Sequence, residues 1–192
     1  MNPFSLAVVA LLLITYVGSG DLRLFFGWVL ILLFFLVGLP LTYVYIKTPR
    51  AGRRMKQIQD PLEVFREHRK EISVVGIVCA LPCILLLIFL GAPSLLIATL
   101  VALLGTTLAV GLVNLLYRAS YHLAFVTNIT IAAALIWGQA VFPVLLAIPL
   151  VGWARYSLRQ HSPAQLAAGV GLALVISTAS SYYFGLLGSI VM

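Results

Sequence analysis

The sequence predicts an all-α fold: a polytopic transmembrane helical bundle of six to seven spans, with its candidate site residues gathered at one membrane interface. Three observations predict it. Of the 192 residues, 62% are apolar and only 9% are charged, against about 25% charged in an ordinary soluble domain. Apolar runs long enough to cross a hydrocarbon core of roughly 30 Å recur along the chain, each crossing taking about 20 helical residues. The few charges are gathered in three places instead of being spread over a surface.

The runs read in order as 3–18, 24–46, 72–92, 94–117, 121–137, 141–157 and 163–184. The first has no basic segment ahead of it and a second long run behind it, so it reads as a retained helix and not a cleavable signal. Breaks between runs carry turn residues: "GSGD" at 18–21, "GAPS" at 91–94, "GQAVFP" at 138–143 and "HSP" at 161–163. Ser162 followed by Pro163 reads as an N-cap and a first helical position. Pro40, Pro82 and Pro149 fall inside runs and are expected to kink them. Trp28, Trp137 and Trp153 sit near run ends, as an interfacial aromatic belt would have them. Cys79 and Cys83, one helical turn apart with no His or carboxylate nearby, read as small buried hydrophobes. "TNIT" at 127–130 matches a glycosylation sequon but lies within a span. The whole chain, 1–192, reads as a single integral membrane domain, with 47–71 as a charged interfacial loop.

Net charge is +7, and its placement carries more information than its size. Eight of the twelve Lys and Arg lie between Lys47 and Lys70, together with Asp60, Glu63, Glu67 and Glu71. Outside that loop the charges are Asp21, Arg23, Arg118, Arg155 and Arg159. Two spans separate the loop from Arg118 and His122, and two more separate these from Arg155 and His161. An even number of crossings returns a chain to its starting side, so the three clusters are expected on one face. The positive-inside rule makes that face cytoplasmic, the N-terminus with it, and leaves the C-terminus outside.

Arg118, His122, Arg155, Arg159 and His161 stand at span ends with no acid in their own segments. An Arg near the bilayer centre costs at least ~2.5 kcal/mol, and one at a span end costs less because it can snorkel to the interface. Basic residues gathered on one face, with no acid in their own segments, call for an anion. The guanidinium fork is the strongest common way to hold a phosphate, and a membrane-embedded chain meets phosphate at the head-group level. Histidines beside such a site add a nucleophile and a proton donor, which with the arginines are the groups phosphoryl transfer requires. Magnesium-dependent chemistry would instead call for clustered carboxylates, so no metal and no cofactor is expected.

These residues carry a resemblance. "RASYHLA" (118–124) and "GWARYSLRQHSPAQLAAG" (152–169) resemble the second and third signature motifs of the type 2 phosphatidic acid phosphatase superfamily, as found in its small prokaryotic members. Arg155 and His161 match the third motif's Arg and His at the required spacing, and Ser120 and His122 match the second. "DPLEVFREHRK" (60–70) is similar to the first-motif segment of some small members, with Arg66 and Arg69 as candidates. The resemblance covers about 60 to 169. It implies a metal-independent lipid phosphatase in which His161 attacks phosphorus to form a phosphohistidine and His122 protonates the leaving oxygen. Arg155, Arg69 and the Ser120 hydroxyl or local amides would hold the phosphate, with Arg118 in place of the missing first-motif Lys and Arg159 as a further ligand. The implied partner is a membrane lipid substrate (phosphatidic acid, phosphatidylglycerol phosphate or a polyprenyl diphosphate) and not nucleic acid. The implied location is a prokaryotic plasma membrane, crossed several times.

The departures are specific. Gln165 stands where the family has the Asp that orients the nucleophilic His. Its amide oxygen can accept the imidazole N–H but brings no charge, and the i,i+4 spacing of His161 and Gln165 is expected to put both on one helix face. Ala119, Tyr121 and Ala154 replace family Pro, Gly and Ser; Leu62 and Lys70 replace first-motif Lys and Pro. The alternatives are a weak or inactive family member that binds anionic phospholipid head groups, or a small transporter. A transporter would be expected to show repeat symmetry and midplane polar groups, and the sequence displays neither.

Overall fold

A computed structural model describes residues 3–47 and 69–186. Every regular element among them is helical. The helices are α1 (Pro3–Ser19), α2 (Leu22–Leu33), a π-helical turn (Phe34–Gly38), α3 (Leu39–Lys47), α4 (Arg69–Phe89), α5 (Ser94–Val113) and α6 (Tyr121–Trp137). A 3₁₀ turn (Gly138–Val141), α7 (Phe142–Leu145), α8 (Ala147–Ser157) and α9 (Pro163–Tyr183) complete them. Among the described residues, three helices are long and apolar enough to cross a membrane: Leu22–Tyr43, Ser94–Val113 and Pro163–Tyr183, with mean hydropathies of 2.6, 2.4 and 1.4. Large apolar side chains stand uncovered along the helices, among them Leu30, Leu85, Phe89, Leu112 and Val175, a surface suited to lipid and not to water.

Three departures from uninterrupted spans have local causes. Pro40 has no N–H to offer the carbonyl one turn before it, and its ring crowds that carbonyl. The backbone just ahead widens to a π turn, with Leu39 N–H donating to Phe34 O. α5 stops at Val113 instead of running to 117, because the Asn114 side chain accepts the Ala119 N–H at 2.5 Å and folds 114–119 into a turn. The run 141–157 breaks at Leu146, ahead of Pro149, and leaves α8 with 11 residues. At 1.5 Å per residue α8 rises only ~16 Å, well short of a hydrocarbon core.

The chain divides into two compact units, residues 1–22 with 92–192, and residues 23–91. In the smaller unit the π turn and α3 pack against α4, where Cys83 and Leu87 are fully buried. Both cysteines are free.

The larger unit is built on α5, α6 and α9. α6 and α9 run parallel in a fixed register: Ser120 meets Gly169, Ala124 shares a buried cluster with Ala173, and Asn128 meets Ser177. Small side chains at four-residue intervals on both helices allow the backbones to approach closely. α5 runs opposite to both. Its Val110 packs on Ala124 and Ala173, its Thr106 bonds Asn128, and its Ala98 carbonyl accepts from Ser180 Oγ at 2.8 Å. α1 lies against α5 and α6, while α8 packs on α6 with Gly152 against the Leu123 side chain. The C-termini of α5 and α8 and the N-termini of α6 and α9 therefore gather at one end of this unit.

Midway along these helices lies a buried polar layer comprising Thr106, Asn128 and Ser177, with Thr127 and Thr130 beside it. This corrects the expectation that midplane polar groups are lacking. The three residues lie on different helices, each beside other small polar residues in sequence, and only the packing brings them together.

Candidate functional site

Two connections meet at the gathered end: 114–120, which enters α6, and 158–162, which enters α9. Ser120 is the N-cap of α6, its Oγ accepting from Leu123 N–H at 3.5 Å. Ser120 N–H in turn donates to Gln165 O at 3.2 Å. A Cβ on Gly169 would stand 2.6 Å from Ser120 O, so only glycine permits this approach. These contacts hold the segment bearing Arg118, Ser120 and His122 beside the one bearing Arg155, Arg159 and His161. Two of the three charged clusters expected on one membrane face thus lie at one end of this unit, while residues 48–68 of the third lie outside the described residues.

The turn into α9 is defined by its caps. α8 closes with Gln160 N–H donating to Arg155 O at 3.1 Å and Arg159 N–H donating to Tyr156 O at 2.9 Å. This is the Schellman pattern, which places its C′ residue in the left-handed region. That residue is Arg159, at φ 52°, the one non-glycine residue with positive φ among the described residues. Arg159 therefore does not continue the helix one turn beyond Arg155, as a longer α8 would have required. The Arg155 guanidinium donates instead to Gln160 Oε1. α9 then begins with a capping box: Gln165 N–H donates to Ser162 Oγ at 3.3 Å, and Ser162 N–H donates to Gln165 Oε1 at 3.0 Å.

Two expected roles change as a result. His161 lies ahead of the helix and not on it, so it and Gln165 do not share a helix face. The Gln165 amide oxygen is occupied by its own cap, while His161 Nδ1 is buried with no hydrogen-bond partner. Ser120 is 0% exposed with its oxygen engaged as a cap, so its hydroxyl does not face a ligand.

His161 and Arg159, with Tyr156, Ser157 and Ser162, line an open recess of about 410 Å³. Arg118 is exposed just ahead of Ser120, and His122 is half-buried in the first turn of α6. Arg69 opens α4 in the other unit, and its side chain lies outside the described residues, as does Arg66. The two helix N-termini favour an anion, but the C-termini of α5 and α8 at the same end oppose them. The helix ends alone therefore favour neither sign, and three guanidinium groups stand on the segments that meet here. Among the described residues none of the three pairs with a carboxylate.

Asn114, Gln160 and Gly169, which shape this end, were not singled out by sequence reasoning. Neither was the cap role of Gln165, although "SPAQ" is itself a capping-box pattern, Ser followed three residues later by Gln. No family model, curated protein or solved structure matches the chain.

Proposed function

We propose that the chain is a multi-pass membrane lipid phosphatase. It hydrolyses a lipid phosphate or isoprenoid diphosphate without a metal, through a phosphohistidine on His161. The observation that carries this reading is the Ser120–Gln165–Gly169 contact, which sets the two best-matching motif segments side by side. The recess supports it further, since a half-buried imidazole and a guanidinium line one open space. In the proposed reaction Arg159, Arg155 and Arg118 bind the phosphate oxygens and His161 forms the bond to phosphorus. His122 gives its proton to the departing lipid oxygen, and water then releases phosphate. Substrates of the class of phosphatidic acid, phosphatidylglycerol phosphate or polyprenyl diphosphate enter laterally from the cytoplasmic leaflet of a prokaryotic plasma membrane.

One observation favours a second reading. The family's orienting Asp is replaced by a Gln whose oxygen is committed to a helix cap, which leaves His161 Nδ1 without a partner. On that basis the chain binds an anionic phospholipid head group and turns it over slowly or not at all. Phosphate release from a lipid panel, measured with purified protein and EDTA present, separates the two. The phosphatase reading expects His161→Ala to abolish release and His122→Ala to lower it by about 10²- to 10⁴-fold. Release from His161→Ala equal to that of the parent protein overturns it. Lipid binding without release at any lipid selects the second reading.

A further inference from the structure

The polar layer at mid-helix contains an unmatched group. Asn128 is 2% exposed, and its Oδ1 accepts from Thr106 Oγ1 of α5 at 3.3 Å and from Ser177 Oγ of α9. Its Nδ2 is buried with no partner. Beside it lies a small, half-open void with room of about 10 Å³, whose lining includes Thr99, Asn128, Ser177 and Ser181, with Ala102 and Ala132. We propose that this void is a binding site for a single water molecule, and that the hydrated Asn128 locks α5, α6 and α9 in register.

Size, chemistry and surroundings converge on water. A cavity of roughly 10–15 Å³ holds one water, which needs two to four polar partners, and the lining supplies that many. An amide can be turned end for end. In the present orientation the group left without a partner is the N–H donor Nδ2; turned over, Nδ2 would donate to the two hydroxyl oxygens and Oδ1 would be the group left for the void. An anion suits only the first arrangement and a cation only the second, whereas water donates and accepts and suits both. Thr99 Oγ1 already donates to Leu95 O at 2.7 Å, so its remaining lone pairs are free to receive a water proton. With no solvent at this depth, an unmatched amide would be strongly penalised. Burial also removes Asn128 from any glycosylating enzyme, so the sequon at 128–130 is explained by packing.

The site lies two turns along α6 from Ser120, about 12 Å, on the stripe that sets the parallel register. It is independent of any phosphate chemistry.

The test is a double-mutant cycle on the full chain, read as thermal unfolding in detergent, together with a high-resolution map. Ala102→Val places methyl groups into the void. If water is bound there, the substitution expels it, strands the amide, and lowers Tm by about 4 °C or more. In an Asn128→Leu background no amide remains to strand, so the same substitution lowers Tm much less. Any steric cost is common to both backgrounds and cancels in the comparison. Density at 2.7–3.2 Å from Nδ2 or Oδ1 supports the proposal. Equal shifts in the two backgrounds, or an empty void in the map, overturn it. Since no arm measures phosphate release, an inactive protein leaves the result unaffected.

Discussion

The two helix starts that meet at the gathered end are built in opposite ways. At α9, Ser162 is exposed and its cap is self-contained: side chain and backbone of Ser162 and Gln165 satisfy each other within four residues. At α6, Ser120 is fully buried, its own cap contact is long at 3.5 Å, and its N–H is satisfied from another helix. One start is specified locally and the other by tertiary packing. The difference teaches where each can be broken: the first at its own residues, the second most severely at a residue it merely touches.

The largest expected effect is accordingly at Gly169. Its missing Cβ leaves room for Ser120 O, and the atoms in the way are backbone, which cannot rotate aside. Gly169→Ala is expected to cost about 3 kcal/mol, the upper range of overpacking. Under the phosphatase reading it also lowers phosphate release, because α6 must shift against α9 and carry His122 away from His161. Thermal unfolding checks the first expectation and the lipid-panel assay the second. If Gly169→Ala unfolds like the parent, the close approach does not hold the two segments together.

Paired substitutions at the caps sharpen the comparison. Ser162→Ala removes one half of an exposed capping box and is expected to cost about 1 kcal/mol, with Ser162→Gly costing a few tenths. Ser120→Ala removes a weaker cap contact but buries a methyl where a hydroxyl was satisfied, leaving the Leu123 N–H without an acceptor in a closed environment. Its expected cost is larger, about 2 kcal/mol. The order of the two Ala variants in unfolding experiments is the measurement. Equal costs would mean that burial adds nothing at Ser120.

What could be foreseen from sequence follows the same division between local and tertiary. Helices at each apolar run were legible because length and hydropathy are properties of a stretch taken alone. Ser162 and Pro163 as a helix start were legible for the same reason. The stop at Val113 was hidden because "LLY" continues the apolar run, while the decisive contact reaches from the Asn114 side chain to the Ala119 N–H. The π turn required knowing that the backbone around Pro40 widens instead of kinking. Gly169 was one glycine among fifteen, and only the partner helix distinguishes it. Asn128, Thr106 and Ser177 form a layer through packing alone. Arg118 and His122 were expected beside Arg155 and His161 from counting crossings, but α8 is too short to be one of those crossings, and what brings the two segments together is the Ser120 N–H to Gln165 O contact.

The smallest expected effect is also the one that best separates folding from chemistry. Arg159 holds the left-handed position of the Schellman turn, where a side chain costs ~1–2 kcal/mol relative to glycine. Glycine also gives the unfolded chain more freedom, which returns ~0.4–1 kcal/mol of that gain. Arg159→Gly is therefore expected to stabilise the protein by about 0.5 kcal/mol. Under the phosphatase reading the strain at this position is tolerated because the cation binds phosphate, and Arg159 does line the recess with His161. The same variant is thus expected to unfold slightly later than the parent while binding phosphate-bearing vesicles more weakly and, if the chain is a phosphatase, releasing less phosphate. Arg159→Lys keeps the charge and the backbone strain but loses the planar fork, and is expected to fall between the two in binding without gaining stability. If Arg159→Gly is more stable and binds such vesicles as well as the parent, the guanidinium at this turn is a surface charge with no ligand, and the recess is not an anion site.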